Sequence, residues 1–356
     1  MKRGAVQKVH ILGGGIAGLA CAYYLRQKSP QIRTIVYEAA PHAGGRAFSC
    51  YDKEWEIELD NAAHGILGAN REIRRFYRGR ENVCRIPFYD FSKQKLSYNP
   101  LRFMRHILLS VFNTAAEKLD WRSLGRVAAA LFPYTPWQTR LFYSCNNLTP
   151  DLVNSFLPFV DELKTGWRLQ KTEGKGRIEK LVFNRGEVTV AQDEKIISAL
   201  DSRAYHKIFG GNVFEYNRIV NVFYRVSTRL WLPGEKGVLG LVNAQADWAF
   251  VSGNTLAVTI SNFQGKIGNK EDFARRIWLE INALRNQTPF FLPAYRVRDY
   301  KFATIAQDQK NNAKRPQNCR TDYDNMMLAG DWTLKNYPCC LNGAVLSAKR
   351  AVKNLL

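Results

Sequence analysis

"KVHILGGGIAGLACAYYLRQ", residues 8 to 27, sets how the chain begins to fold. Val9 to Leu12 form an apolar run of strand length, Gly13, Gly15 and Gly18 spell G-x-G-x-x-G, and a helix follows through Ala20 to Arg26. Gly13 makes a tight turn, Gly15 lets the backbone approach a pyrophosphate, and Gly18 packs helix on strand. The helix N-terminus, at Ile16 and Ala17, offers free N–H groups and a positive dipole end to an anion. A second apolar strand, "TIVYEAA" at 34 to 40, ends in Glu38 and Ala39, where a carboxylate can accept hydrogen bonds from an adenosine ribose. This succession predicts a dinucleotide-binding α/β unit.

The whole-chain numbers bound what surrounds it. A chain of 356 residues, 46% hydrophobic, can build one large domain or two intertwined ones. Its seven cysteines include no CxxC pair and no Cys/His cluster at metal spacing, so reduced thiols and no metal site are expected. There is no secretory leader pattern and no apolar run near the roughly 18 residues of a membrane span. The expected location is cytoplasmic, with peripheral contact at the inner face of the membrane as an extension of that reading.

The formal charge of +21 needs an explanation, and much of it is concentrated. Between Arg71 and Cys145 there are fourteen Lys or Arg against five Asp or Glu. Two basic amphipathic helices are expected around residues 101 to 130, in "LRFMRHILLSVF" and "WRSLGRVAAALF". In the first, Leu101, Met104, Leu108 and Val111 or Phe112 form the apolar stripe, with Arg102, Arg105 and His106 around the other side. Such helices either meet an anionic lipid surface or turn their stripes to the protein's own core. No nucleic-acid-binding motif accompanies the charge, so nucleic acid is not an expected partner.

Later segments narrow the class. "EAAPHAGGRAFS" at 38 to 49 resembles the E-A-x-x-x-x-G-G-R segment of two-dinucleotide-domain flavoproteins, with His42 where an arginine is usual. "LAGDWTLKNYPCCLNGAVLSAKRA" at 328 to 351 resembles their C-terminal G-D turn and flavin-facing helix. The resemblance implies FAD, held by Gly44, Gly45 and Arg46 at one end of the sequence and by Gly330, Asp331, Gly343 and Ala344 at the other. "DNAAHGILGANRE" at 60 to 72 is similar to the D-N-G-Q-H-x-x-L-G-A-Y segment of squalene-associated FAD-dependent desaturases, the family that contains hydroxysqualene dehydroxylase, and adds Asn61 to the implied cofactor set. "YKFATIAQDQKNNAKRP" at 300 to 316 resembles the K-x-A-T-F stretch that leads to an R-P pair. Ala62 and Ala63 replace the family's Gly and Gln, and Asn342 replaces a Glu. The chain is also short for the family, with the loss expected between about residues 110 and 165, where the substrate tunnel would be walled.

The implied fold is an α/β, two-dinucleotide-binding-domain (Rossmann-like) FAD flavoprotein with an α+β substrate domain. Residues 1–70, 160–212 and 296–356 would form the FAD-binding domain, and 71–159 and 213–295 the substrate domain. "YNRIVNVFYRVS" through "TLAVTISNF" predicts an antiparallel floor, followed by a helix from Lys270 to about Asn286.

The implied substrate is a long lipophilic isoprenoid, and the implied reaction is reductive removal of the hydroxyl of hydroxysqualene to give squalene. An acid near the leaving oxygen is then needed. His64 and Tyr337 are the candidates, against local readings in which His64 shapes its turn and Tyr337 packs at the flavin or the tunnel mouth. Lys301 either holds a water near the flavin or lies on the surface. A carotenoid or phytoene-type desaturase, a flavin amine oxidase and a non-catalytic FAD-binding accessory protein at the membrane are the other classes this sequence admits. Cys339 and Cys340, a vicinal pair, read as small fillers at the turn into the last helix. The oligomeric state is not encoded in any motif.

Overall fold

The computed structural model describes residues 7–61, 65–79, 81–83, 85–132, 138, 140–143, 147–227, 232–234, 237–284 and 291–356. The opening motif folds as its pattern requires, with β1 (Lys8–Leu12), α1 (Ile16–Lys28) and β2 (Arg33–Glu38) in succession. Three later strands, β3 (Glu162–Thr165), β4 (Lys195–Ser198) and β5 (Met326–Leu328), complete a parallel sheet of order β3-β2-β1-β4-β5. Its central strands are apolar on both faces, as a sheet covered on both sides demands.

Alternation along these strands divides their side chains between two cores. Val9, Ile11, Val36 and Ile197 pack beneath α1 and the C-terminal helix α2 (Leu341–Leu355), where small residues such as Ala20, Ala348 and Ala351 let the two helices approach. Leu12, Ile35, Tyr37 and Ile196 face the other way, onto a three-stranded meander of Leu169–Glu173, Lys180–Phe183 and Gly186–Thr189. Ile73, Phe76, Leu148, Leu152 and Phe156 join the core beneath α1 and α2, so the start of the basic stretch and the segment just after it both pack there.

A second sheet has seven strands in the order Tyr295–Ile305, Tyr216–Arg225, Thr255–Ser261, Trp248–Ser252, Val238–Val242, Phe88–Asp90 and Lys95–Ser97. Its pairings are antiparallel except that Val238–Val242 runs parallel to Phe88–Asp90. Val220, Val222, Tyr224, Val258 and Ile260 point to one face and pack on helix Lys270–Ala283 through Phe273, Ile277 and Ile281. Asn269 starts that helix by accepting from the N–H groups of Glu271 and Asp272.

The two basic helices form at Met104–Phe112 and Trp121–Leu131. The expected stripe of the first is displaced. Leu101 precedes the helix and is exposed, and the buried positions are Phe103, Ile107 and Phe112. His106 is also not on a solvated face. Its Nε2 donates to the Asp247 carbonyl at 2.8 Å, its ring lies against Trp248, and burial lowers its pKa. The helix therefore turns one histidine and one apolar edge inward while Arg102 and Arg105 stay out. Among the described residues, no helix is long and apolar enough to cross a membrane.

Candidate functional site

The C-terminal ends of β1, β2 and β4 open on one side of the sheet, where parallel α/β sheets place ligands. Two loops cross there. Gly44 N–H donates to the Gly14 carbonyl at 2.8 Å, and a Cβ on Gly45, whose φ is +60°, would stand 3.1 Å from the Gly15 Cα, so the crossing favours glycine at Gly45, while a Cβ on Gly15 would make only ordinary contact at 3.9 Å. Gly18 lies one turn into α1, where a Cβ would collide with the Gly13 carbonyl oxygen and press on Ile11. That glycine packs helix on strand and does not face the opening.

Glu38 closes the end of β2. Its Oε2 accepts from Gly14 N at 2.8 Å and its Oε1 from Ala40 N at 2.7 Å, which fixes the carboxylate and leaves each oxygen a second lone pair. The first turn of α1 begins at Gly15 with no side-chain cap, and that of α2 begins at Cys340 with none either. Two helix N-termini thus present uncapped N–H groups.

The N- and C-terminal motifs meet through a charge pair. Arg46 donates to Asp331 Oδ2 at 2.6 Å and to the Ala303 carbonyl at 2.7 Å, while Trp332 N–H donates to Asp331 Oδ1 at 3.0 Å. Asn61 Nδ2 donates to the Arg46 carbonyl at 3.0 Å and steadies the same loop. Behind the turn, the buried Arg315 guanidinium donates to the carbonyls of Asp331, Trp332 and Tyr337 at 2.7, 3.0 and 2.8 Å.

These groups border a cavity of about 1010 Å³, at the upper end of the usual range for ligand sites. Gly13, Gly15, Ile16, Ala17, Glu38, Ala39, Gly44, Gly45, Arg46, Asn61, Gly330, Asp331, Ala344 and Tyr337 all line it. Gly343 does not face it, and a Cβ there would meet the Pro338 carbonyl at 2.7 Å. His64, with Ala62 and Ala63, lies outside the described residues. The Tyr337 hydroxyl accepts from Asn342 Nδ2 at 2.7 Å, and burial pushes its pKa up to about 12. Asn342 also accepts from the N–H groups of Glu72 and Ile73, so the residue that departs from the family's Glu ties α2 to a neighbouring turn.

Cys339 and Cys340 are free thiols on the cavity wall, and burial pushes their pKa values up to about 12 and about 11. Neutral thiols are poor nucleophiles, which agrees with a filling role. Lys301 is exposed at the cavity's edge.

Several lining residues carry no motif. Trp167, Arg168 and Phe183 surround the end beside Glu38, and Ser202 and Arg203 follow β4. The signal that could have found them is positional, since each sits on a loop or strand at the carboxyl edge of the parallel sheet. At the opposite end the walls are Ile86, Ile107, Val111, Val127, Leu131 and Leu141, and the floor is the free face of the second sheet. The stretch between residues 110 and 165 therefore still supplies a wall.

A parallel dinucleotide-type sheet whose carboxyl edge opens into an apolar chamber floored by an antiparallel sheet defines a flavin-dependent oxidoreductase. Residues 11–79 match the family model of the NAD(P)-binding Rossmann-like domain, and residues 202–356 that of the flavin containing amine oxidoreductases. The chain is 26% identical over 413 residues to a hydroxysqualene dehydroxylase of Zymomonas mobilis, covering 96% of this chain and 97% of that one. It is 24% identical over 412 residues to the Sinorhizobium fredii hydroxysqualene dehydroxylase, covering 97% of each. Over nearly its whole length the chain is thus similar to hydroxysqualene dehydroxylases, and its C-terminal part, residues 202–356, matches the flavin containing amine oxidoreductases. An oxidoreductase from Methanosarcina mazei shares the fold with a TM-score of 0.70 at 12% identity, over 96% of this chain and 98% of that one. A reduced UDP-galactopyranose mutase does so with a TM-score of 0.68 at 12% identity, over 98% and 93%.

Proposed function

We propose that this protein binds FAD and reduces hydroxysqualene to squalene, removing the hydroxyl group as water. The single observation that carries the reading is the near full-length similarity to hydroxysqualene dehydroxylases. The cavity is compatible with it, being polar and glycine-lined at the sheet edge and apolar beyond.

The residues present fit FAD. The crossing of Gly15 and Gly45 leaves backbone without side chains where a pyrophosphate would approach, beside the uncapped start of α1. Glu38 would hold the adenosine ribose through its remaining lone pairs, and Trp167 and Phe183 would flank the adenine. Arg46 and Asp331 would hold the central part of the cofactor, with the start of α2 directed at the flavin. The bound, reduced flavin supplies the hydride. The chain's own part is to exclude water with its apolar walls, orient the isoprenoid and support departure of its oxygen.

The substrate reaches the chamber from an anionic lipid surface in this account. Leu101, Trp121 and Phe132 are 67%, 69% and 69% exposed, and Arg102, Arg105 and Arg122 stand among them. The helices that carry or adjoin these residues also wall the apolar end of the cavity through Ile107, Val127 and Leu131. Exposed aromatic rings with arginines beside them suit the interface of an anionic bilayer.

The experiment is anaerobic incubation of the purified protein with hydroxysqualene and a flavin reductant, with extracted lipids assayed for squalene. Squalene formed only with the protein supports the reading. Unchanged hydroxysqualene with flavin bound and reduced rejects it.

A further inference from the structure

The chamber floor is not uniformly apolar. In the strand Tyr216–Arg225, Val220, Val222 and Tyr224 point to the core against helix Lys270–Ala283, so Ile219, Asn221 and Phe223 point to the opposite face. Strand register puts Asn221 between Thr259 and Arg298 in one cross-strand row, and Ile219 between Ser261 and Tyr300 in the next. Thr259, Ser261, Ile219 and Tyr300 line the cavity.

Two hydroxyls on this floor are left in complementary states. Thr259 Oγ1 donates to Asn221 Oδ1 at 2.7 Å, and Asn221 is fully buried, so the threonine proton is committed away and its oxygen remains an acceptor. The Tyr300 hydroxyl is shielded from solvent with the Arg298 guanidinium, which can only donate, beside it, and no acceptor among the described residues takes its proton, so it remains a donor. Leaving such a proton without an acceptor is unfavourable, and a ligand oxygen would relieve it. One fixed acceptor and one idle donor, in a cavity lined also by Ile107, Val111 and Phe250, match an alcohol and do not match a hydrocarbon.

We propose that Tyr300 and Thr259 form a hydroxyl-recognition notch, which holds a long acyclic isoprenoid alcohol by its oxygen and discriminates against the hydrocarbon of the same skeleton. The notch rests on the reading that an isoprenoid fills this chamber. Tyr300 donates to the substrate oxygen, Thr259 accepts from the substrate hydroxyl, and Asn221 is the positioning residue that keeps Thr259 turned. Arg298 donates to Cys50 Sγ at 2.9 Å, and its charge beside Tyr300 opposes the upward push of burial on the phenol, which strengthens the phenol as a donor. A product that has lost its oxygen makes neither bond. The same notch therefore favours alcohol entering and hydrocarbon leaving.

The test compares binding of farnesol and of farnesene to the flavin-loaded protein by calorimetry in detergent micelles, for wild type, Tyr300→Phe and Thr259→Val. The expected result is an alcohol preference in wild type that falls about tenfold in either variant with farnesene binding unchanged, the loss of one hydrogen bond. Equal alcohol-to-hydrocarbon ratios in wild type and in a variant with native flavin absorbance overturn the notch. Thr259→Val carries the test should Tyr300→Phe fail to fold. An alcohol preference lost in Tyr300→Phe without any conversion of hydroxysqualene would keep the notch and reject the proposed reaction. Conversion of hydroxysqualene by Tyr300→Phe at the wild-type KM, with an unchanged binding ratio, would do the reverse.

Discussion

Arg46 donates to the Asp331 carboxylate at 2.6 Å, joining glycine turns 285 residues apart in the chain. The pair links the N-terminal G-G-R loop to the C-terminal G-D turn on the cavity wall. Asp331 is largely buried while Arg46 is half exposed, so removing the arginine leaves a carboxylate with one backbone donor in a poorly solvated place. Asp331→Ala and Arg46→Met are each expected to weaken flavin retention at least tenfold, measured as flavin absorbance per protein after gel filtration. Full retention in both would remove this pair from the cofactor site.

Arg315 supports that turn from behind. Three carbonyls share one buried guanidinium, whose planar fork serves several acceptors at once. Arg315→Met should lower unfolding free energy by about 3 kcal/mol, read by urea denaturation, because buried acceptors lose their donor. Arg315→Lys should recover only part of it, since one ammonium cannot reproduce the fork.

The sequence made the first of these residues legible and the second only partly so. Gly13, Gly15, Gly18 and Glu38 are read directly because the close backbone approaches of a dinucleotide-type turn, and the acid that follows it, recur at fixed spacing. Arg315 belongs to a recognisable pair with Pro316, yet its bonds go to carbonyls, which any residue supplies. Trp167, Phe183 and Tyr300 were not legible as site residues, because their place depends on which strands become neighbours across long stretches of chain. The displaced stripe of helix Met104–Phe112 has a related cause. Phe103 and Ile107 are four apart just as Met104 and Leu108 are, and tertiary packing decided between two equivalent faces.

Asp60 gives a pH dependence with a definite sign. Burial pushes its pKa up to about 6, although Oδ1 accepts from Leu148 N and Ser49 Oγ at 2.7 and 2.8 Å. The unfolded value is about 3.9, so between these limits the folded chain binds more protons, and this group's contribution to stability falls as pH rises through about 6. Asp60→Asn retains an oxygen acceptor for both donors. It should show a shallower loss of melting temperature between pH 4 and pH 6 than wild type, roughly the interval set by the two values. Parallel profiles for the two proteins would contradict this role.

Membrane docking makes a separate prediction. Replacing Trp121 and Phe132 with Ser, or Arg102, Arg105 and Arg122 with Glu, should reduce pelleting with phosphatidylglycerol vesicles severalfold and leave flavin content unchanged. Loss on neutral phosphatidylcholine vesicles should follow the aromatic changes alone, because only the arginines read lipid charge. Pelleting that ignores both sets would return these residues to a solvated surface.

Direction of hydride flow is the central claim, and one measurement reads it. The protein is loaded with flavin, reduced anaerobically with one equivalent of dithionite, and mixed with hydroxysqualene in detergent while the flavin absorbance is followed and the lipids are extracted. The account predicts return of the yellow oxidised flavin with one squalene formed per flavin. A flavin that stays reduced with hydroxysqualene intact, together with bleaching of the oxidised protein by a polyene carotenoid precursor, would contradict it and make the protein a desaturase.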